Sequence, residues 1–170
     1  MSTTKGVIAS VLTATGLLSA AGELKVGTKA PAFSAQDATG KTIQLADYLG
    51  KANVVLYFYP KDDTPGCTAE ACSLRDGYAD LTATGAVILG VSADDSASHA
   101  AFTAKYHLPF PLLPDPEKKI IDAYGVRMPV LGFAKRVTFL IDKQGILRHI
   151  IADVQTKTHD KQVLELLKGM

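Results

Sequence analysis

The sequence predicts an α/β fold in which a mixed central sheet carries helices on both faces. Three observations support this. Residues 54–59 (VVLYFY) and 86–92 (AVILGVS) are unbroken runs of β-branched, aromatic and aliphatic residues, the pattern of strands buried on both faces. Each is followed by a segment with helical character, residues 67–81 and 96–107. Residues 136–141 and 146–151 form two further strand-like runs, joined by the hairpin turn Asp142-Lys143-Gln144-Gly145.

The remaining elements fall into place around these. Residues 33–35 and 42–45 are short strands flanking the polar turn Asp37-Ala38-Thr39-Gly40-Lys41, and residues 47–49 form a helical piece ending at Gly50. A turn-rich loop, 60–66, leads into the helix over 67–81, where Ala69, Cys72, Leu74, Tyr78 and Leu81 can share one apolar side. Ala97, Ala100, Ala101 and Ala104 favour the helix over 96–107. A proline-studded stretch, 108–116, precedes a short helix near 118–124, and an amphipathic helix over 158–167 closes the chain. No repeat, low-complexity tract or interdomain linker interrupts residues 22–170, so one domain is expected there.

Composition narrows the function. Eighteen basic residues nearly cancel seventeen acidic ones, a net charge of +1, which argues against a nucleic-acid binder. A hydrophobic content of 47% excludes a disordered chain. Two cysteines are too few for a disulfide scaffold or a cysteine-rich zinc site. No apolar run reaches the roughly 18 residues of a membrane span. Residues 1–21 have the outline of a secretory signal: Lys5, an apolar middle and a small-residue end, Ser19-Ala20-Ala21. Export to a periplasmic or similar compartment is therefore expected, with a cytoplasmic N-terminal extension as the alternative.

The best candidate for chemistry is Pro60-Lys61-Asp62-Asp63-Thr64-Pro65-Gly66-Cys67, between a buried strand and a helix. Ligands gather at the carboxyl ends of strands in open α/β sheets. Cys67 at a helix start would face free backbone N–H groups and the positive end of the helix dipole, which favour the reactive thiolate. Cys72 lies five positions on. In an α-helix that spacing gives Cα atoms about 8–9 Å apart, pointing about 140° away from each other. A disulfide needs them within roughly 7 Å. The pair therefore suits a reversible redox couple better than a structural staple.

Other signals are weaker. Gly40-Lys41-Thr42 imitates the end of a phosphate loop but lacks the leading glycine, Ala35 standing in its place. His99, His107, His149 and His159 have no ligand-like spacing to either cysteine, so no metal is expected. Asp62–Asp63 and Asp94–Asp95 read as solvated turn formers.

Pro60-x-x-x-Thr64-x-x-Cys67 resembles the active-site pattern of the peroxiredoxins. The longer stretch YFYPKDDTPGCTAEACSLRD is similar to their Q-type, or bacterioferritin-comigratory-protein (Bcp-like), branch. The similarity extends through LKVGTKAPAFS and RVTFLID to nearly all of residues 23–170. It implies a thioredoxin-like fold and a thiol peroxidase without cofactor. By the same resemblance Cys67 is the peroxidatic cysteine and Cys72 the resolving one, closing an intramolecular disulfide. Thr64 hydrogen-bonds the peroxide, Pro60 shields the sulfur, Arg136 is the active-site arginine and Glu70 the acid that orients it. The substrate is hydrogen peroxide or an organic hydroperoxide, the reductant thioredoxin or a thioredoxin-like protein, and the usual state of the branch a monomer. A thioredoxin-type dithiol oxidoreductase and a non-enzymatic peroxide sensor are the alternatives.

Overall fold

Residues 23–170 are described by the computed structural model; the expected signal segment lies outside them. Strands β1 (Ser34–Gln36) and β2 (Thr42–Gln44) form a small antiparallel hairpin. The main sheet is built from β3 (Asn53–Phe58), β4 (Ala86–Ser92), β5 (Leu112–Pro114), β6 (Val137–Ile141) and β7 (Leu147–Ile151). Its order is β5-β4-β3-β6-β7, with β3, β4 and β5 parallel and β6 and β7 antiparallel to their neighbours. The helices are α1 (Pro65–Asp76), α2 (Tyr78–Ala83), α3 (Ser96–Tyr106), α4 (Lys119–Ala123) and α5 (His159–Leu167).

The period of two along β3 sorts its side chains into two cores. Val54, Leu56 and Phe58 pack on one face with Phe139, Ile121, Tyr124 and Ile43. Val55, Tyr57 and Tyr59 pack on the other with Cys67, Ala71, Leu74, Phe102 and Val163, from α1, α3 and α5. Gly90 of β4 lets the Tyr57 ring approach; a Cβ there would lie 2.8 Å from it and 2.7 Å from Leu112. At this packing density such an overlap forces the sheet apart.

The structure corrects the sequence reading at three places. The helix expected over 67–81 is two helices, broken at Gly77. A Cβ at Gly77 would sit 2.6 Å from the Asp160 Cβ, so α5 packs against this break. The buried side of α1 is Cys67, Glu70, Ala71, Ser73 and Leu74, whereas Ala69 and Cys72 are only half-buried. Finally, the proline-studded stretch contains β5, whose three residues end on Pro114 at the sheet edge, where a missing N–H is tolerated.

Candidate active site

α1 starts where β3 ends, so the loop from Pro60 crosses the carboxyl end of the parallel strands. Tyr59 anchors its beginning by donating its N–H to the Val91 carbonyl at 3.1 Å. Thr64 is the extended N-cap and Pro65 occupies the first helical position, where its missing N–H costs nothing. Cys67 thus lies in the first turn of α1, 1% exposed. Its sulfur faces Arg136, the residue before β6, whose Nη2 is 3.4 Å away. The guanidinium also lies against Gly66, where a Cβ would be only 3.0 Å from Nη2. The helix N-terminus and a cation therefore converge on one thiol, the arrangement that favours a thiolate.

Arg136 is held by its other nitrogen. Nη1 donates to Oε2 of Glu70, one turn beyond Cys67 on α1. Burial works against the guanidinium charge, but Glu70 and Cys67 together leave its pKa raised. Glu70 is fully buried, and burial pushes its carboxyl up to about 7 although Arg136 pulls the other way. Its Oε1 has no hydrogen-bond partner.

Of the expected site residues, Cys67, Glu70 and Arg136 therefore converge. Thr64 and Pro60 lie on the loop leading into them, both half-buried. The Thr64 hydroxyl donates to the Lys61 carbonyl at 2.9 Å, so it offers an incoming peroxide an acceptor. Cys72 is a free, half-buried thiol further along the unbroken α1.

The reading of Asp62 as a solvated turn former is overturned. Asp62 is 8% exposed. It accepts hydrogen bonds from Tyr59 Oη at 2.6 Å, Ser98 Oγ at 2.7 Å and His99 Nδ1 at 2.8 Å. Its N–H donates to Asp94 Oδ2 at 2.9 Å. Burial alone would raise the Asp62 pKa, but the bonds from His99 and Tyr59 hold it below the ordinary carboxylate value. Ligand-capable atoms of Asp62, Asp94 and His99 lie within 4.8 Å of one another, the one such cluster among the described residues. Hydrogen bonds within the network already engage both aspartates, and they tie the loop to α3. Asp63 follows with φ 56° and pairs outward with Lys105. Asp95 caps α3 by accepting from Ser98 N–H.

Sequence reasoning also missed His159. It is fully buried at the start of α5, its Nε2 2.8 Å from Thr138 Oγ1 and 3.7 Å from Glu70 Oε1. The local sequence carries no signal for this, since α5 reads as an ordinary amphipathic helix. His99 is buried as well, His149 half-buried and His107 exposed. No helix among the described residues is long and apolar enough to cross a membrane.

The chain as a whole is similar to known proteins. The family model described as AhpC/TSA family matches residues 26–150. The chain is 44% identical over 153 residues to a protein of Bacillus subtilis named peroxiredoxin Bcp, covering 86% of this chain and 97% of that one. The crystal structure of the peroxidoxin BcpB from Mycobacterium tuberculosis superposes with a TM-score of 0.80 at 32% identity, covering 86% and 98% of the two chains. A bacterioferritin comigratory protein from Xanthomonas campestris, solved in connection with its alkyl peroxide reduction activity, superposes with a TM-score of 0.75 at 31% identity, covering 81% and 90%.

Proposed function

The chain belongs to the AhpC/TSA family and is a thiol-dependent peroxidase of thioredoxin-like fold, and from that premise we propose that Cys67 is the peroxidatic thiol and Cys72 its resolving partner. The observation that carries this reading is the approach of Arg136 Nη2 to Cys67 Sγ, 3.4 Å apart at a helix N-terminus.

The Cys67 thiolate attacks one oxygen of the peroxide. An S–O bond forms, the O–O bond breaks, and the leaving oxygen departs with the bonding pair and takes up a proton as water or an alcohol. Arg136 and the N-terminal N–H groups of α1 stabilise the charge developing on that oxygen. Thr64, whose hydroxyl donates to the Lys61 carbonyl, accepts a hydrogen bond from the peroxide O–H and orients it. Pro60 limits water at the sulfur.

The Cys72 thiol then attacks the Cys67 sulfenic acid, forming the S–S bond and releasing water. Because five positions of intact helix keep the sulfurs apart, the first turns of α1 must open for this step. A thioredoxin-like dithiol reduces the disulfide by exchange and is itself oxidised. Hydrogen peroxide and organic hydroperoxides are the substrate class, and a monomer suffices for the cycle. Residues 1–21 serve as an export signal, and the reductant is then a periplasmic thioredoxin-like protein. An intact mass matching a chain that begins near Ala21 or Gly22 supports export, and a full-length cytosolic protein overturns it.

The test of the cycle is peroxide consumption with an excess of a dithiol reductant. The wild type turns over many times and the Cys67→Ser variant not at all. Cys72→Ser reacts once and stops at a sulfenic acid, seen by mass spectrometry as an added oxygen. A disulfide-linked dimer of the wild type would remove Cys72 from its role within the chain.

A further inference from the structure

Arg136 serves two acids at once. Its Nη2 lies 3.4 Å from Cys67 Sγ while its Nη1 is bonded to Glu70 Oε2. Glu70 Oε1 receives no hydrogen bond, although the side chain is completely buried. His159 Nε2 stands 3.7 Å from that oxygen and is equally buried.

The tautomer of His159 follows from its partners. Gln162 Oε1 accepts from the Gln155 N–H at 2.8 Å and stands 2.9 Å from His159 Nδ1. Gln162 Nε2 donates to the Asp153 carbonyl, which fixes the orientation of the amide. Nδ1 therefore carries the imidazole proton, and Nε2 presents a lone pair that accepts from the Thr138 hydroxyl at 2.8 Å. That single lone pair is taken by Thr138, so Nε2 has no proton to give Oε1; an ionised Oε1 would stand unanswered against the negative side of the imidazole, and a proton on the carboxyl removes that repulsion.

The surroundings agree. Arg136, the residue before β6, is bonded to Glu70; β3 brings the buried Tyr57 hydroxyl near Glu70, α1 brings Cys67 to Arg136, and α5 places Asp160 beside His159. Burial raises Glu70 to about 7 and lowers His159, and Arg136 lowers His159 further. Both members of the pair favour their neutral forms.

We propose that Glu70 is protonated when the reduced enzyme reacts, its proton on Oε1 toward His159, and that His159 is a positioning residue which thereby keeps the Arg136 charge available to Cys67. This rests on Cys67 being the reacting thiol. With Glu70 neutral, the guanidinium serves the thiolate and the leaving oxygen undivided. When Glu70 ionises, it competes for the same cation, and the titrations of the two acids become linked.

The test is the pH profile of the first peroxide turnover, followed by stopped flow on the full chain. The wild type is expected to show a limb that falls as Glu70 ionises near pH 7. The Glu70→Gln variant, neutral at every pH, loses the falling limb. In His159→Gln an amide N–H can donate to Oε1 and favour the carboxylate. Its falling limb moves down by about one pH unit, which lowers the ratio of the rate at about pH 8 to that at about pH 6 roughly fivefold. A purely structural role for His159 lowers all rates alike and leaves the limb in place, which overturns the proposal. Nitrogen-15 NMR of the wild-type histidines provides a second reading that needs no variant. His159 should hold the Nδ1–H tautomer at neutral pH, and an Nε2–H tautomer overturns the proposal. Turnover surviving in Cys67→Ser would instead sink the site reading itself, so the two failures are distinguishable.

Discussion

Two buried carboxylates flank the reactive thiol and are treated in opposite ways. Asp62, at the end of the loop nearest β3, accepts from Tyr59, Ser98 and His99. Glu70, one turn into α1, has Arg136 on one oxygen and nothing hydrogen-bonded to the other. Full satisfaction holds Asp62 charged, with its pKa below the ordinary value, whereas burial with one orphaned oxygen lifts Glu70 to about 7. A buried charge with hydrogen bonds on both oxygens is a brace. A buried acid left half-satisfied changes its charge near neutrality and can take part in chemistry. The contrast teaches that burial alone does not separate scaffold from site; the number of donors does.

The same change, carboxylate to amide, breaks the two in opposite directions. Asp62→Asn sets an NH2 group among the donors Tyr59, Ser98 and His99 and leaves at least one of them unpaired inside the protein. The expected cost is roughly 2–4 kcal/mol of stability, since the lost bonds involve a charged, buried acceptor. Chemical denaturation measures it directly, and a loss under about 0.5 kcal/mol would show that Asp62 does not brace the loop. The sign with pH follows from the lowered pKa. The Asp62 contribution is complete above the unfolded value of about 3.9 and is lost as pH falls through the lower folded value.

Glu70→Gln should act the other way. A carboxyl whose pKa is raised on folding contributes stability that is complete below its ordinary value of about 4.3 and is lost as pH rises toward about 7. The Gln variant has no such titration. Its melting temperature should therefore gain on that of the wild type as pH rises from about 4 to about 7. His159, lowered by burial, runs against this slope, because its contribution is present above about 6.5 and is lost as pH falls. It is common to both proteins, so the difference between their melting curves isolates Glu70. A difference that stays flat with pH would mean that Glu70 remains ionised in the folded protein.

The contrast also shows how much the sequence revealed. The hydrophobic runs of β3 and β4 announce the parallel centre of the sheet, because strands buried on both faces have little room for polar residues. The spacing of Pro60, Thr64 and Cys67 points to the candidate site, because local geometry at a strand-to-helix turn is written in consecutive residues. What stayed hidden depends on partners distant in the chain. Asp62 looks like any loop aspartate until Ser98 and His99 fold over it, 36 and 37 positions later. His159 meets Glu70 only because α5 packs on α1. Even the break at Gly77 follows from Asp160, a neighbour that no helix propensity records.

The smallest expected effect tests whether the brace and the mobile acid separate when the thiols are oxidised. Ser73 joins α1 to α5 twice, donating to Asp160 Oδ1 at 2.7 Å and accepting from the Asp160 N–H at 3.0 Å. In the reduced protein Ser73→Ala should cost about 1 kcal/mol, the net worth of an ordinary, partly buried hydrogen-bond pair. On the proposed cycle, the Cys67–Cys72 disulfide opens the turns of α1 up to Ser73, so the oxidised protein should be nearly indifferent to the same substitution. Hydrogen exchange locates the change. Amides from Thr68 to Ser73 should exchange faster on oxidation, while the Asp62 amide, held by Asp94 outside α1, keeps its protection. Loss of protection at Asp62 would show that the loop unfolds together with α1, and that the fully bonded carboxylate is no firmer an anchor than the half-bonded one.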